Sequence, residues 1–291
     1  EPGLNALFGL EYKRYENQHS EIYNEESSDR AFEEEVMLSG FANAQVKGEG
    51  SGVSFDEAQE TFTARYTHET VALAFAITEE AIEDNLYDRL ASRYTKALAR
   101  SMSNAKQVKS VEPLIQGLPT TNNFDSGDGV SLFNTDHPTV AGTFANTLAT
   151  QSDLNETSLE QSMIDIAQMT DERGLRIAAR GVKMIIPSEL QFTAERLMKS
   201  QGRTGTADND INAIVSMGMV PQGYRVNNYL TDSDAFYILT DIPNGMKMFN
   251  RAPLTTAMEG DFDTGNVRYK ARERYSFGVS DPRGIFGVEG A

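Results

Sequence analysis

The sequence predicts an α+β fold, and three observations carry that prediction. Residues Ile77 to Lys106 run without a proline or a glycine, in a chain that has 9 of one and 23 of the other. From Asn266 to Val279 the side chains separate by parity into an apolar and a basic face, the signature of a long strand. Between Glu156 and Asp241, short apolar runs alternate with segments of helical period, as mixed helix and sheet require.

In chain order, the first 35 residues read as an arm. After "LNALFGL", aromatic and charged residues follow one another with no clear period, which predicts a segment tied down by neighbouring surfaces rather than by its own core. Two extended stretches then flank "GEGSG" at Gly48 to Gly52. The second alternates Phe62, Ala64, Tyr66 and His68, then Val71, Leu73 and Phe75, so residues 36–70 read as a long hairpin with a Gly-rich tip. The helix follows directly. Thr78 can cap it, Glu79, Glu80, Glu83 and Asp84 crowd its first turns, and Arg89, Arg93, Lys96, Arg100 and Lys106 fill the later ones. Ile82, Leu86, Leu90, Ala97, Leu98, Met102 and Ala105 form its apolar stripe, and at 1.5 Å per residue the rod is about 45 Å long.

Beyond Pro113, Asn, Asp, Gly, Pro and Thr dominate as far as Leu148, which is turn chemistry and opens a second domain. There Leu159, Met163, Ile166 and Ala167 mark a helix, "VKMIIP" a buried strand, "SELQFTAERLMKS" a helix capped by Ser188, "NDINAIVSMG" another helix and "AFYILTD" another strand. The final strand sets Val267, Tyr269, Ala271, Tyr275, Phe277 and Val279 on one face, and Arg268, Lys270, Arg272 and Arg274 on the other. That basic row is either a solvated face or a contact for acidic surface on another subunit, such as the Glu79 to Asp88 end of a neighbouring helix.

Composition excludes several chemistries. A formal charge of −17 is incompatible with tight wrapping of nucleic acid, because a phosphate footprint needs a local excess of Lys and Arg. The isoelectric point near 4.6 says the same. With no cysteine there are no disulfides, thiol nucleophiles or cysteine-ligated zinc. The longest apolar run, Val71 to Ile77, falls far short of the ~20 residues that span a bilayer, so no membrane partner is expected. His19, His68 and His137 lack ligand spacing, and Asp136-His137 before Pro138 reads as a turn, so neither metal nor cofactor is expected. Asp263-Thr264-Gly265 matches the triplet of aspartic proteases, which leaves an aspartic-type hydrolase as the enzyme alternative. Glu259, Gly260 and Asp261 replace the apolar strand that such a triplet follows, however, and no second copy exists. A turn between strands explains the same residues, and Asn155-Glu156-Thr157 is a glycosylation sequon by pattern only.

Four strings carry a resemblance: "YTHETVALAFAITEEAIEDNLYDRL", "LFNTDHPTVAGTFANTL", "VKMIIPSELQFTAERLMKS" and "RYSFGVSDPRGIFG". Together with the order of arm, hairpin, long helix, mixed domain and returning strand, they make the chain resemble, from about Phe32 onward, the major capsid proteins of tailed bacteriophages of the Mu-like major head subunit type. The resemblance implies an N-terminal arm (1–35), an extended hairpin loop (36–70), a peripheral domain with a spine helix (71–117), an axial domain (118–249) and returning peripheral strands (250–291). It also implies a structural protein, not an enzyme. Copies would self-assemble into hexamers and pentamers around packaged double-stranded DNA without sequence-specific binding, with portal, scaffold or decoration proteins as further partners. Assembly would take place in the host bacterial cytoplasm and end in the virion capsid. On this reading Lys47, Val53, Phe55, Phe62 and Tyr66 of the hairpin join the basic row as intersubunit contacts. Some members cross-link a loop Lys, for which Lys47 is placed, but no partner Asn or catalytic Glu can be matched. Many members lose an N-terminal segment, and a chain that starts at Glu1 leads us to expect residues removed or lying outside this sequence. An encapsulin-like bacterial shell is the alternative with the same fold.

Overall fold

Strands that alternate and helices with a four-residue stripe assemble here around two four-stranded sheets, each with its own apolar core. The computed structural model describes residues 2–84, 87–202, 211–261 and 265–291. In chain order its elements are α1 (Pro2–Arg14), β1 (Asn24–Ser27), β2 (Phe32–Leu38), β3 (Glu60–Thr67), β4 (Glu69–Ile77), α2 (Glu79–Glu83) and α3 (Tyr87–Gln116). Then come β5 (His137–Thr139), β6 (Gly142–Phe144), α4 (Glu156–Gln168), β7 (Gly181–Ile186), α5 (Gln191–Lys199) and α6 (Ala213–Ser216). The last are β8 (Tyr224–Val226), β9 (Phe236–Thr240), β10 (Met246–Gly260), β11 (Val267–Val279) and β12 (Ile285–Val288). Two compact units result, one of residues 1–33, 66–110 and 248–277, the other of 34–65, 111–247 and 278–291.

The first unit is built on a sheet of order β1-β10-β11-β4. β11 runs antiparallel to β4, with Val267 opposite Ile77 and Tyr275 opposite Glu69. One face of this sheet is covered. Phe8 from α1, Leu98, Ala99 and Met102 from α3, and Tyr269 and Ala271 from β11 form its core, with Leu4, Tyr12, Val71, Phe75, Leu254 and Met258 packed around them. The arm is tied down by neighbouring surfaces, as expected: Phe8 packs on α3 and β11, and Ile22 and Tyr23 are buried as well. Leu4, Phe8 and Tyr12 recur every four residues, so α1 does have an apolar face, and burying Phe8 alone contributes about 1.5 to 3 kcal/mol.

The long helix has the predicted length but lies ten residues later: α3 holds 30 residues, and Glu79, Glu80 and Glu83 of the predicted first turns form the separate α2. Thr78 caps α2 by accepting from the Ala81 N–H, and α3 continues through Pro113 to Gln116. Pro113 lacks the N–H that would bond the carbonyl four residues earlier, so the last turn holds one intrahelical hydrogen bond fewer. Gly117 follows the helix where only glycine fits: a Cβ there would sit 2.6 Å from Leu132 Cβ and 2.7 Å from the Pro113 carbonyl oxygen. The stripe differs in detail. Leu98 and Met102 are buried, Ala97 is exposed, Ile82 is 36% exposed and Leu86 lies outside the described residues. Thr95, Ser103, Gln107 and Ser110 complete the buried face. Two of them serve there because they are bonded: Ser110 Oγ donates to the Gln107 carbonyl, and Gln107 Oε1 accepts from the His19 N–H at 3.0 Å, whereas Thr95 Oγ1 is buried without a hydrogen-bond partner among the described residues.

The second unit carries a sheet of order β12-β9-β7-β8, in which β7 is antiparallel to β9 and parallel to β8. Leu159, Met163 and Ile166 of α4, Ala194 and Leu197 of α5, Met184, Ile186, Phe236 and Ile238 form its core. Asn155, the residue of the sequon pattern, is the N-cap of α4, in a reciprocal capping box with Ser158. Ser188 does not cap α5. It opens a short 3-10 turn before the helix and points its hydroxyl at Glu189.

Candidate assembly interface

The hairpin stem is β2 paired with β3, fixed by Thr61 Oγ1 donating to the Met37 carbonyl at 3.1 Å. Alternation on β3 buries Ala64 and Tyr66 and exposes Thr63 and Arg65. At the end of the stem the Ser39 N–H donates to the Gln59 carbonyl (2.8 Å) and the Gln59 N–H to Ser39 Oγ (2.9 Å). Residues 40–58 carry no strand, so the expected long two-stranded ribbon is a short stem with a long loop. Nine of the loop's residues are Gly, Ala or Ser, which pack little area against a partner strand.

What the hairpin displays is apolar. Val53 is 67% exposed and Phe55 97%, and Lys47 is exposed beside them. Val36, Leu38, Phe41 and Val46 extend this surface; parity along β2, with 33, 35 and 37 half-buried, is the sequence signal for the first two. Phe62 is half-buried. Tyr66 is a correction: it is 3% exposed and packs edge-on against Phe249 at 4.8 Å, leaving no ring surface for a neighbour.

On β11, Arg268, Lys270 and Arg272 are exposed and Arg274 is half-buried. The strand opposite supplies small residues, with Arg268, Lys270, Arg272 and Arg274 in register with Ala76, Ala74, Ala72 and Thr70. Those four are exposed as well, so on the β4 side the row is flanked by small residues. Arg268 is already paired with Asp261. The parity argument omitted Glu273, which falls on the covered face and is 3% exposed. Burial pushes its carboxyl above the ordinary range, although Lys106 Nζ at 3.6 Å and the Tyr12 hydroxyl at 3.4 Å oppose this.

The remaining candidates resolve as structure. His137 is fully buried; Nδ1 meets Asp128 Oδ2 at 2.6 Å and Nε2 meets Asn146 Oδ1 at 3.0 Å, so both ring nitrogens are occupied, while Asp136 is exposed. Burial acts against the Asp128 carboxylate, yet bonds from His137 and Ser126 hold it below its ordinary value. Asp263 lies outside the described residues; the Asp261 N–H donates to the Asn266 carbonyl where β10 connects to β11. Among the described residues, no group of His, Asp and Glu is arranged to hold a metal ion, and no helix is long and apolar enough to cross a membrane.

The family model for phage capsid proteins matches residues 60–288. The fold is similar to that of a virus-like particle from Pyrococcus furiosus, at 10% identity and TM-score 0.57 over 99% of this chain and 98% of that one. It is similar to the capsid of an empty GTA particle, at 13% identity and TM-score 0.57 over 94% and 89%. It is similar also to the capsid of Myoviridae phage XM1, at 12% identity and TM-score 0.54 over 93% and 89%. No curated protein matches the chain. The capsid fold expected from the resemblance is the fold found, and with about four-fifths of its length matched by one family model, the chain belongs to the phage capsid protein family.

Proposed function

We propose that this chain is the major capsid protein of a tailed phage, of the Mu-like type, and that its copies close into hexamers and pentamers of an icosahedral head. One observation carries the assembly mode: Val36, Leu38, Phe41, Val46, Val53 and Phe55 are exposed on a single hairpin. Apolar side chains gathered in this way mark a surface meant for burial, and the adjacent subunit supplies the cover. Such an obligate contact buries about 2,000 Å² or more. Arg268, Lys270, Arg272 and Arg274 meet acidic surface of a neighbouring copy, of which a chain at −17 has ample supply. The same charge keeps packaged double-stranded DNA sliding rather than bound. Portal, scaffold and decoration proteins complete the particle, which is assembled in the host cytoplasm. The family match favours this reading over a bacterial encapsulating shell. Negative-stain imaging of the purified protein tests it: closed shells of uniform diameter are expected, and a monodisperse monomer at every protein concentration and ionic strength contradicts it.

A further inference from the structure

The loop between β2 and β3 lacks strand pairing yet is held at a second point beyond its stem. Asp56 Oδ2 accepts from the Ala42 N–H at 2.7 Å, and its Oδ1 accepts from the Glu57 N–H at 2.9 Å. Ala42 and Asp56 thus form a rung across the loop, three residues above the Ser39 and Gln59 clasp. The bond from Ala42, then that from Glu57, holds the Asp56 carboxyl below its ordinary value although the residue is exposed.

Arg173 reaches this rung from elsewhere in the same unit. Its Nη2 donates to the Glu57 carbonyl at 2.6 Å and lies 3.8 Å from Asp56 Oδ1, with the side chain only 16% exposed. The turn that carries it is rigid by construction. Asp171 Oδ1 accepts from the N–H groups of Arg173 (2.9 Å) and Leu175 (2.8 Å), Gly174 takes the left-handed φ of +79° that the turn needs, and the Asp171 N–H donates to the Leu175 carbonyl at 2.8 Å. A guanidinium delivered from such a turn fixes a direction, which an exposed pair of flexible side chains would not. In the sequence the turn is the string "DERGL", Asp171 to Leu175.

We propose that Arg173 is a positioning residue for assembly: it sets the direction in which residues 40–58 leave the stem, so that the loop is ordered before an adjacent subunit covers it. This rests on the shell reading above. A loop already held near its bound conformation loses less entropy on association, which lowers the concentration at which shells form.

Hydrogen exchange on the unassembled protein, followed by a concentration series for assembly, tests the proposal with Arg173→Ala, Arg173→Lys and Asp56→Asn. Loss of one charge-assisted bond should speed exchange across residues 40–58 by about tenfold and raise the assembly threshold by about tenfold in Arg173→Ala. Exchange in β7 and β9 should not change, and Arg173→Lys should recover part of both effects. Should Arg173→Ala fail to fold, Asp56→Asn carries the same comparison from the other side of the contact. Unchanged exchange in the loop overturns the proposal, as does faster exchange with an unchanged threshold. A wild type that forms no shells at all refutes the shell reading and, with it, the role in assembly, while the exchange data still decide whether Arg173 holds the loop.

Discussion

Gly245 and Gly284 touch backbone to backbone, so close that a Cβ on Gly284 would lie 2.3 Å from the Gly245 Cα. Neither residue has positive φ; what each supplies is the absence of a side chain. The contact brings the start of β10 against the turn before β12, where the Ser280 N–H also donates to the Gly245 carbonyl at 3.0 Å.

Gly284→Ala should therefore destabilise the second unit by about 1 to 3 kcal/mol or more, because backbone cannot move aside as a side-chain tip can. Gly9→Ala is the matched control: nothing lies within 4 Å of its Cβ position, and it stands inside α1. There the substitution should stabilise by about 0.5 to 1 kcal/mol. Denaturant midpoints of the two variants check both signs.

Glu273→Gln should raise the melting temperature near neutral pH. The carboxylate is buried, its Oε1 has no hydrogen-bond partner among the described residues, and burial raises its proton affinity above the ordinary value of 4.5. A folded value above the unfolded one means that its contribution is complete below pH 4.5 and is lost as pH rises through the folded value. Melts between about pH 4 and pH 8 should show a shallower slope for the Gln variant. A lower melting temperature with an unchanged slope contradicts this account.

Lys270→Glu combined with Arg272→Glu should leave the fold intact and abolish assembly. Both residues are exposed, opposite Ala74 and Ala72, so the change in stability should stay within about 0.5 kcal/mol. Circular dichroism and electron microscopy on the same sample separate the two effects. Shells at the wild-type threshold would make the row a solvated face.

Legibility in the sequence followed how local each signal is. The two faces of β11 announce themselves through parity, which depends on nothing outside the element, whereas charge order predicts the long helix ten residues too early, because Glu79, Glu80 and Glu83 belong to the separate α2. β10 was not legible, because Pro253 interrupts a pattern in which Leu254, Thr256 and Met258 turn to the core. Tyr66 was legible as inward-facing, but whether its cover is the same chain or another copy depends on Phe249, far away in sequence. Arg173 was invisible for the same reason: its partners, Asp56 and Glu57, sit on the other side of α3 in the chain.

Replacing residues Ala44 to Ala58 with a short Gly-Ser turn, and comparing sedimentation velocity with wild type at equal concentration, tests the central claim most directly. The stem clasp of Ser39 and Gln59 remains, so the subunit should fold and sediment as a small species while wild type forms closed shells. Closed shells of normal size from the shortened protein would contradict the assignment of this loop to the adjacent subunit.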